Sequence, residues 1–447
     1  MKKFFGKVVC AAVAITAATT AVVGCSGRVT PSRVLRFDPA GYSVDTLAFP
    51  DGSQVVYRAY KDIYYVTNVE DSTYQKLSIF VPEGAKEDAP IFLRTYVGAF
   101  MAAPNREPSA RDASGRALKE GLVLCVPGSR GSNSMVNGLI SGTAPLGLCD
   151  LKAAVRYLKF NDKRIPGDSD RIITDGTSAG GAMSSLLGTS GNALEFDRYL
   201  KAMGAANADD DIFAAVCFCP IIDIDHSDIA YEWLYGFTNK GVRGLNDKLA
   251  AISDDLATYY PAYLNSLELK SIWNGEALTD SNYKEYVRSF IEACKPAEDT
   301  TWVGDWKLED YLTMVVEGQA LKTPPSFDQM GVGESVTPEN RSFGLPDGTP
   351  LNFTPYHREV PAEVQARVDL YNPMNYLYGK FDSDVAEHWY IRHGARDRDT
   401  AFSVPINFAT RLDNLGYDVD FSLAWGIPHR GDYDLDSVFA WIRSITE

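Results

Sequence analysis

Residues 171–187 read RIITDGTSAGGAMSSLL, and this stretch decides the predicted fold. Its first half is rich in β-branched residues, as strands are, and its second half has the small apolar residues of a buried helix. Between the halves, Gly176, Ser178 and Gly180 form a Gly-x-Ser-x-Gly motif. In a strand–turn–helix connection, such glycines allow a tight turn that exposes the serine hydroxyl at the carboxyl edge of the sheet. The stretch predicts a nucleophile at Ser178; the alternative is a serine that only caps the helix.

A nucleophilic serine needs a general base, and the chain has five histidines: His226, His357, His388, His393 and His429. Around this motif the chain order is serine, acid, histidine, with the histidine on the loop after the last strand. Only His429 has that position, between a predicted strand at 418–425 and a predicted helix at 435–445. We therefore predict His429 as the base and a structural role for His393.

The acid is expected after the preceding strand, predicted at 388–393, where Asp397 and Asp399 both follow. Residues two apart in an extended segment share a side, so either carboxylate is a candidate. Asp397 is favoured because it is closer to the strand end, where a triad acid orients the imidazole. The alternative for both is a solvated loop in which Arg396 and Arg398 are their partners.

Backbone N–H groups are expected to stabilise the negative charge that develops during acyl transfer. One is the N–H of Ala179, which follows the nucleophile, and the second should lie in the loop after the strand predicted at 90–96. That loop contains Gly98 and Ala99, and the residues leave open which of the two points inward.

Predicted strands and helices alternate on both sides of a polar, aromatic and proline-rich segment at residues 225–380. This pattern is typical of a parallel sheet interrupted by an insertion. We expect an α/β-hydrolase fold, with a mostly parallel central sheet and helices on both faces. Its core would be residues 42–224 and 381–447, and residues 225–380 would form a large inserted lid domain.

The N-terminus has the pattern of an export signal. Three lysines precede an apolar stretch at 8–23, and Cys25 follows small residues, as in the lipobox of bacterial lipoproteins. We expect residues 1–25 to be a lipoprotein signal peptide that ends at the anchor cysteine, Cys25, and residues 26–41 to be a tether. The protein would then be an extracytoplasmic, membrane-anchored lipoprotein; the alternative is an ordinary signal peptide.

Composition narrows the possible partners. With 43 basic and 59 acidic side chains, the formal net charge is −16, which argues against binding of nucleic acid. The cysteines are irregularly spaced, so no disulfide framework is expected, and Cys217 and Cys219 are interpreted as buried strand residues. No Cys/His group has zinc spacing, and we expect no metal or organic cofactor.

Three segments resemble the bacterial tannases (tannin acyl hydrolases): GTSAGG at 176–181, IRHGARDRDT at 391–400 and PHRGDYDL at 428–435. The likeness extends from about Ala40 to the C-terminus. This resemblance implies an α/β-hydrolase with a large lid and a catalytic triad of Ser178, Asp397 and His429. It also implies that Asp399 binds the hydroxyl groups of a galloyl ring.

The resemblance implies two further ring-binding residues in the lid. Lys322 precedes a Thr-Pro-Pro segment, as the lysine of the family does, and Glu339 lies in a Glu-Asn pair before Phe343-Gly344. The intervening stretch is longer than in the family pattern, which makes Glu334 an alternative to Glu339. Two carboxylates and an ammonium suit the three adjacent hydroxyls of gallate, because each hydroxyl then has a hydrogen-bond partner.

We therefore expect a serine esterase that hydrolyses galloyl esters and hydrolysable tannins through an acyl-enzyme intermediate, with a small aromatic ester as its substrate. One alternative is an esterase for feruloyl or other aromatic cell-wall esters. An alternative of another class is a non-catalytic surface binding protein built on a hydrolase fold.

Overall fold

The computed structural model describes residues 35–447 except 240, 303, 318–319, 333–335 and 357. The predicted signal peptide with Cys25, and also Glu334, lie outside the described residues, so these expectations stay predictions. Within the predicted tether, Leu35 and Phe37 are buried, and the side-chain amide of Asn161 hydrogen-bonds the backbone of both. The packed body of the protein thus includes residues before position 42, where the sequence predicted its start.

The strands are β1 (Ser43–Ala48), β2 (Gln54–Tyr64), β3 (Lys76–Pro82), β4 (Pro90–Arg94), β5 (Val123–Pro127), β6 (Met135–Val136), β7 (Leu139–Ile140), β8 (Asp168–Thr177), β9 (Ala214–Phe218), β10 (His388–Gly394) and β11 (Asp418–Ala424). Among the described residues, nine of them form one sheet in the order β1-β2-β3-β5-β4-β8-β9-β10-β11. Strands β1, β2, β3 and β5 pair antiparallel, and every later neighbour in the sheet is parallel. The mostly parallel sheet expected from the sequence is confirmed.

The helices are α1 (Ala113–Lys119), α2 (Leu146–Phe160), α3 (Ala179–Thr189), α4 (Asp197–Met203), α5 (Ser227–Tyr235), α6 (Asp247–Ser266), α7 (Tyr283–Cys294), α8 (Leu308–Val316), α9 (Pro338–Ser342), α10 (Ala362–Leu370), α11 (Pro373–Leu377), α12 (Ser403–Leu415) and α13 (Leu435–Thr446). No helix in the described part of the chain is both long and apolar enough to span a bilayer.

The sheet is covered by helices on both faces, as expected. Neighbouring residues of a strand point to opposite faces, and in β8 Ile172 and Ile173 belong to two different hydrophobic clusters. The cluster of Ile173 includes residues of α1 and α13. The cluster of Ile172 includes residues of α2, α3 and α12. Because both faces are buried, the parallel strands are nearly continuous apolar runs.

The segment between β9 and β10, which contains α5 to α11, covers the face formed by α2, α3 and α12. Its buried residues, such as Leu256 in α6 and Val287 in α7, belong to the same hydrophobic cluster as Ile172. The insertion thus shares a core with the sheet, and its loops reach the carboxyl ends of the strands.

Strands β2 and β9 both end before the runs of strand-forming residues that contain them. β2 ends at Tyr64, although the run of aromatic and β-branched residues continues to Thr67. β9 ends at Phe218, although the apolar run continues to Ile222, because Cys219 has a left-handed φ of 37° and Pro220 has no N–H to donate. This early end of β9 places Cys219 at the edge of the sheet where the candidate site lies.

Candidate active site

Ser178 lies at the turn between β8 and α3. Its backbone is in a strained region, with φ 61° and ψ −123°, which holds the side chain clear of both elements. The flanking glycines are required by space: a Cβ on Gly176 would lie 2.2 Å from the carbonyl oxygen of Gly180, and one on Gly180 would lie 2.9 Å from that of Val97. The turn that the motif predicts is present.

Three predicted side chains meet at the carboxyl edge of the sheet. Ser178 follows β8, Asp397 follows β10 and His429 follows β11. The Nε2 atom of His429 is 2.9 Å from the Oγ atom of Ser178. The Nδ1 atom of the same ring is 2.7 Å from the Oδ2 atom of Asp397. This is the serine–histidine–acid geometry required for activating a hydroxyl nucleophile.

The structure shows which of the two aspartates contacts His429, a choice that residue spacing alone left open. Asp397 is fully buried and contacts His429, and its other oxygen accepts the Asp399 N–H at 2.8 Å. Burial acts to raise the pKa of Asp397, but the imidazoles of His393 and His429 hold that pKa below its ordinary value. Asp399 instead lines the adjoining cavity.

The environment of His429 favours its charged form. Burial acts to lower its pKa, but the hydrogen bond with Asp397, together with Cys219, raises the pKa of His429 above its ordinary value. A base that receives the proton of Ser178 becomes an imidazolium, and the carboxylate of Asp397 stabilises that charge.

Cys219 is a neighbour of the triad that the sequence analysis placed only in strand packing. Its Sγ atom, a ring nitrogen of His429 and a carboxylate oxygen of Asp397 lie within 4.8 Å of one another. The signal in the sequence was its position, because Cys219 directly follows β9 at the same edge of the sheet. Burial raises the pKa of its thiol.

His393 was predicted to have a structural role, and it lies beside Asp397 and is not among the described residues that line the cavity. The ring is buried with no hydrogen-bond partner at either nitrogen among the described residues, although Nε2 lies 3.6 Å from Asp397 Oδ2. Burial lowers the pKa of His393, against the opposing effect of the Asp397 carboxylate.

A cavity of about 380 Å³ opens beside the nucleophile. Its walls come from the turn after β4, the start of α3, the insertion and the loops after β9, β10 and β11. The lining residues are Ala99, Phe100, Ser178, Ala179, Ile221, Lys322, Ser326, Gln329, Val336, Thr337, Pro338, Glu339, Asp399 and His429. Of the predicted N–H donors, Ala99 and Ala179 line this cavity, whereas Gly98 is exposed and is not among the described lining residues.

Lys322, Glu339 and Asp399 converge on this cavity from two parts of the insertion and from the loop after β10. The Lys322 Nζ atom lies 3.7 Å from the centre of the Phe327 ring, in a cation–π contact. Glu339 lies in α9, which begins with a capping box formed by Thr337 and Asn340. Burial raises the pKa of Glu339, against the opposing effect of Lys322.

Two groups in the described part of the chain have donor atoms close enough to hold a metal ion: Cys219 with Asp397 and His429, and Asp223 with Asp225 and His226. The first consists of two members of the triad and their neighbour Cys219. In the second, His226 Nδ1 is 2.9 Å from Asp223 Oδ1, and the ring stacks on Tyr263 at 3.8 Å. His226 therefore pairs within the insertion and does not line the cavity, and His357 lies outside the described residues.

The chain is similar to known hydrolases in sequence and in structure. A family model described as BD-FAE matches residues 77–246. A sequence comparison with curated proteins gives no match. Solved structures match over nearly the whole chain.

A tannase from Fusobacterium nucleatum is 32% identical, with a TM-score of 0.83, over 92% of this chain and 99% of its own. A tannin acyl hydrolase solved in complex with ethyl gallate is 33% identical, with a TM-score of 0.82, over 93% of this chain and 100% of its own. The native tannin acyl hydrolase from Lactobacillus plantarum is 33% identical, with a TM-score of 0.81, over 92% and 99%. With identity and coverage at this level, the chain belongs to the bacterial tannase family and is a carboxylic ester hydrolase of the α/β-hydrolase fold.

Proposed function

We propose that this protein is a serine esterase that hydrolyses galloyl esters, including hydrolysable tannins, through an acyl-enzyme intermediate. One observation carries the proposal: Lys322, Glu339 and Asp399 line the same cavity as Ser178 and His429. The first three can bind an aromatic ring that carries hydroxyl groups, and the last two lie where its ester group would then be attacked.

In the first half of the proposed reaction, His429 Nε2 takes the proton of Ser178 as Oγ attacks the ester carbonyl carbon. The N–H groups of Ala99 and Ala179 stabilise the oxyanion, and removal of one such donor typically costs about 3–4 kcal/mol of barrier. The ester C–O bond then breaks, and the imidazolium gives its proton to the leaving alcohol oxygen.

In the second half, His429 takes a proton from water as the water oxygen attacks the carbonyl carbon of galloyl-Ser178. The bond to Ser178 Oγ breaks, Oγ recovers its proton from His429, and gallic acid leaves. Each half ends with the imidazole neutral again, so these side chains complete the cycle.

Recognition of the acyl group would come from charge. A trihydroxy ring offers three donors, and two carboxylates and an ammonium lie in the cavity that would hold it. An acyl group without those hydroxyls would exclude water from the three charged side chains and give them no hydrogen-bond partner in return. This loss makes the free energy of binding less favourable. The tannin acyl hydrolase solved with ethyl gallate, 33% identical to this chain, supports a ligand of this class.

We predict that kcat/KM for methyl gallate exceeds that for methyl benzoate by at least about 100-fold, because benzoate leaves those charged groups unpaired. Methyl ferulate should also be poor, since its longer acyl chain moves the ring away from the position set by its carbonyl carbon. Initial rates on the three esters, with the enzyme in the same buffer, provide the measurement. Equal rates would remove the galloyl proposal and leave an esterase of broad specificity, whereas faster hydrolysis of the ferulate would favour the feruloyl alternative.

Binding of methyl gallate should weaken as the pH falls. Burial raises the pKa of Glu339, so its carboxylate is protonated at a higher pH than an exposed glutamate would be. Loss of this charge removes a strong acceptor for a ring hydroxyl. The affinity of the inactive Ser178→Ala variant, measured by calorimetry as a function of pH, isolates binding from turnover. With Glu339→Gln added, this pH dependence should flatten; an unchanged profile would exclude Glu339 as its origin.

A further inference from the structure

Helix α5 carries a buried polar face on one side. Asp228, Tyr231, Glu232 and Tyr235 follow the spacing i, i+3, i+4, i+7, which places them on a single face of a helix. Each is fully buried, with 0% exposure. Polar groups removed from water need hydrogen-bond partners, and the partners of these four side chains belong to three sets.

One set of partners belongs to the loop of the triad acid. The hydroxyl of Tyr235 donates to the carbonyl oxygen of Asp397 at 3.0 Å. The hydroxyl of Tyr231 donates to the carbonyl oxygen of Arg398 at 2.6 Å. The backbone on either side of Arg398, which carries Asp397 and Asp399, is therefore attached to α5.

A second set belongs to the loop that carries Lys322. The Tyr231 hydroxyl also accepts the N–H of Lys322 at 3.3 Å. Glu232 pairs with the buried guanidinium of Arg243 at 2.5 Å, and Arg243 Nε donates to the carbonyl oxygen of Lys322 at 3.0 Å. Both backbone groups of Lys322 are thus held, one directly by α5 and the other through its ion pair.

The third set leads to Glu339. Asp228 accepts the N–H groups of Phe327 at 2.6 Å and of Asp328 at 3.2 Å. The Asp328 carboxylate in turn accepts the side-chain amide of Asn340 at 2.7 Å, and Asn340 is the neighbour of Glu339 in α9. Each of the three candidate ring-binding residues is therefore connected to the same face of α5.

We propose that the face formed by Asp228, Tyr231, Glu232 and Tyr235 is a positioning device, which sets the ring-binding side chains at a fixed distance from Ser178 and so determines acyl specificity. This inference rests on the proposed galloyl esterase function. None of the four is among the described residues that line the cavity, so they act through Lys322, Asp399 and Glu339. Tyr231 connects the loop that carries Asp399 with the loop that carries Lys322, because its hydroxyl contacts both.

Replacement of Tyr231 by phenylalanine tests whether this connection between the two loops determines acyl specificity. Loss of the hydroxyl separates the two loops, and misplacement of a bound acyl group by about 1 Å can cost a large factor in rate, so kcat/KM for methyl gallate should fall at least about tenfold. Turnover of 4-nitrophenyl acetate, whose acyl group has no ring to be positioned, should fall no more than about twofold, because Asp397 keeps its bonds to His429 and Tyr235.

Tyr286 offers a matched control in the same insertion. Like the hydroxyl of Tyr231, its hydroxyl contacts one oxygen atom and one backbone N–H. The oxygen is Thr410 Oγ1 at 2.9 Å, and the N–H is that of Ile272 at 3.4 Å. Tyr286→Phe should lower Tm by a similar amount but leave the ratio of the two activities unchanged. A similar ratio in both variants, or an equal fall on both substrates in Tyr231→Phe, would overturn the positioning role. If the unaltered enzyme shows no preference for methyl gallate over methyl benzoate, the proposed function fails, and this inference with it.

Discussion

Replacement of Ser178 by alanine is expected to lower kcat toward methyl gallate by about 10⁵- to 10⁶-fold, the range seen when a hydroxyl nucleophile activated by histidine is removed. The reason is geometric. Ser178 Oγ is 2.9 Å from the base, in a strained turn that serves to expose it, and alanine leaves His429 with no nucleophile to activate. The residual rate would come from binding and oxyanion stabilisation of a direct attack by water.

The control for this variant is Ser184→Ala in α3, the helix that follows Ser178. Ser184 is fully buried, and its Oγ atom has no hydrogen-bond partner among the described residues, so its removal should leave both activity and folding intact. In the unaltered enzyme, a single-turnover reaction quenched with acid should yield a peptide in which Ser178 carries the galloyl group, and mass spectrometry would detect this intermediate. Turnover retained in Ser178→Ala would contradict the nucleophile assignment, and binding without turnover in the unaltered enzyme would favour a non-catalytic surface protein.

Asp397→Asn should lower kcat by about 10⁴-fold, as expected when a triad acid becomes an amide of the same shape. The asparagine side chain can present its NH₂ group to His429 Nδ1, which is 2.7 Å from the carboxylate. That ring nitrogen would then have to accept, which puts the proton on Nε2 and leaves no lone pair to receive the proton of Ser178. Steady-state rates on 4-nitrophenyl acetate, which has no galloyl ring, report this loss directly.

Asp399→Asn provides the comparison, because it makes the same chemical change two residues away. Asp399 lines the cavity, whereas the carboxylate that contacts His429 is that of Asp397. The Asp399→Asn variant should therefore weaken methyl gallate binding and spare 4-nitrophenyl acetate turnover. Equal losses in both variants on both substrates would show that the two carboxylates do not have separate roles. The pair thus tests the catalytic and the recognition assignment independently.

The positions of Ser178 and His429 at one site could be predicted from the sequence because their signals are local. The turn around Ser178 requires small residues at Gly176 and Gly180, and a strand must precede it and a helix follow. His429 was found by its place after the last strand, since the carboxyl ends of parallel strands share an edge. The spacing of Asp397 and Asp399 left two readings, because residues two apart in a strand-like segment face the same way.

Some features had no local signal. The partners of Cys219 come from the loops after β10 and β11, although its own position in the sequence is after β9. The polar face of α5 is visible as a spacing in the sequence, but its role is not, because its partners lie near residues 322–328 and 397–398. In a sequence, four polar residues at helical spacing ordinarily indicate a face of the helix that is exposed to solvent.

The sequence alone determined the α/β framework, the serine turn, the order of the triad and the family resemblance, since all of these depend on short-range patterns and on the polarity of parallel strands. The tertiary structure decided which aspartate contacts His429, that Lys322 and Glu339 share a cavity with Ser178, and that α5 connects their loops. The contact between Asp397 and His429 joins residues 32 positions apart, and the contacts of Tyr231 and Ser178 join residues 91 or more positions apart. The distances between such residues are set by the packing of the insertion against the sheet.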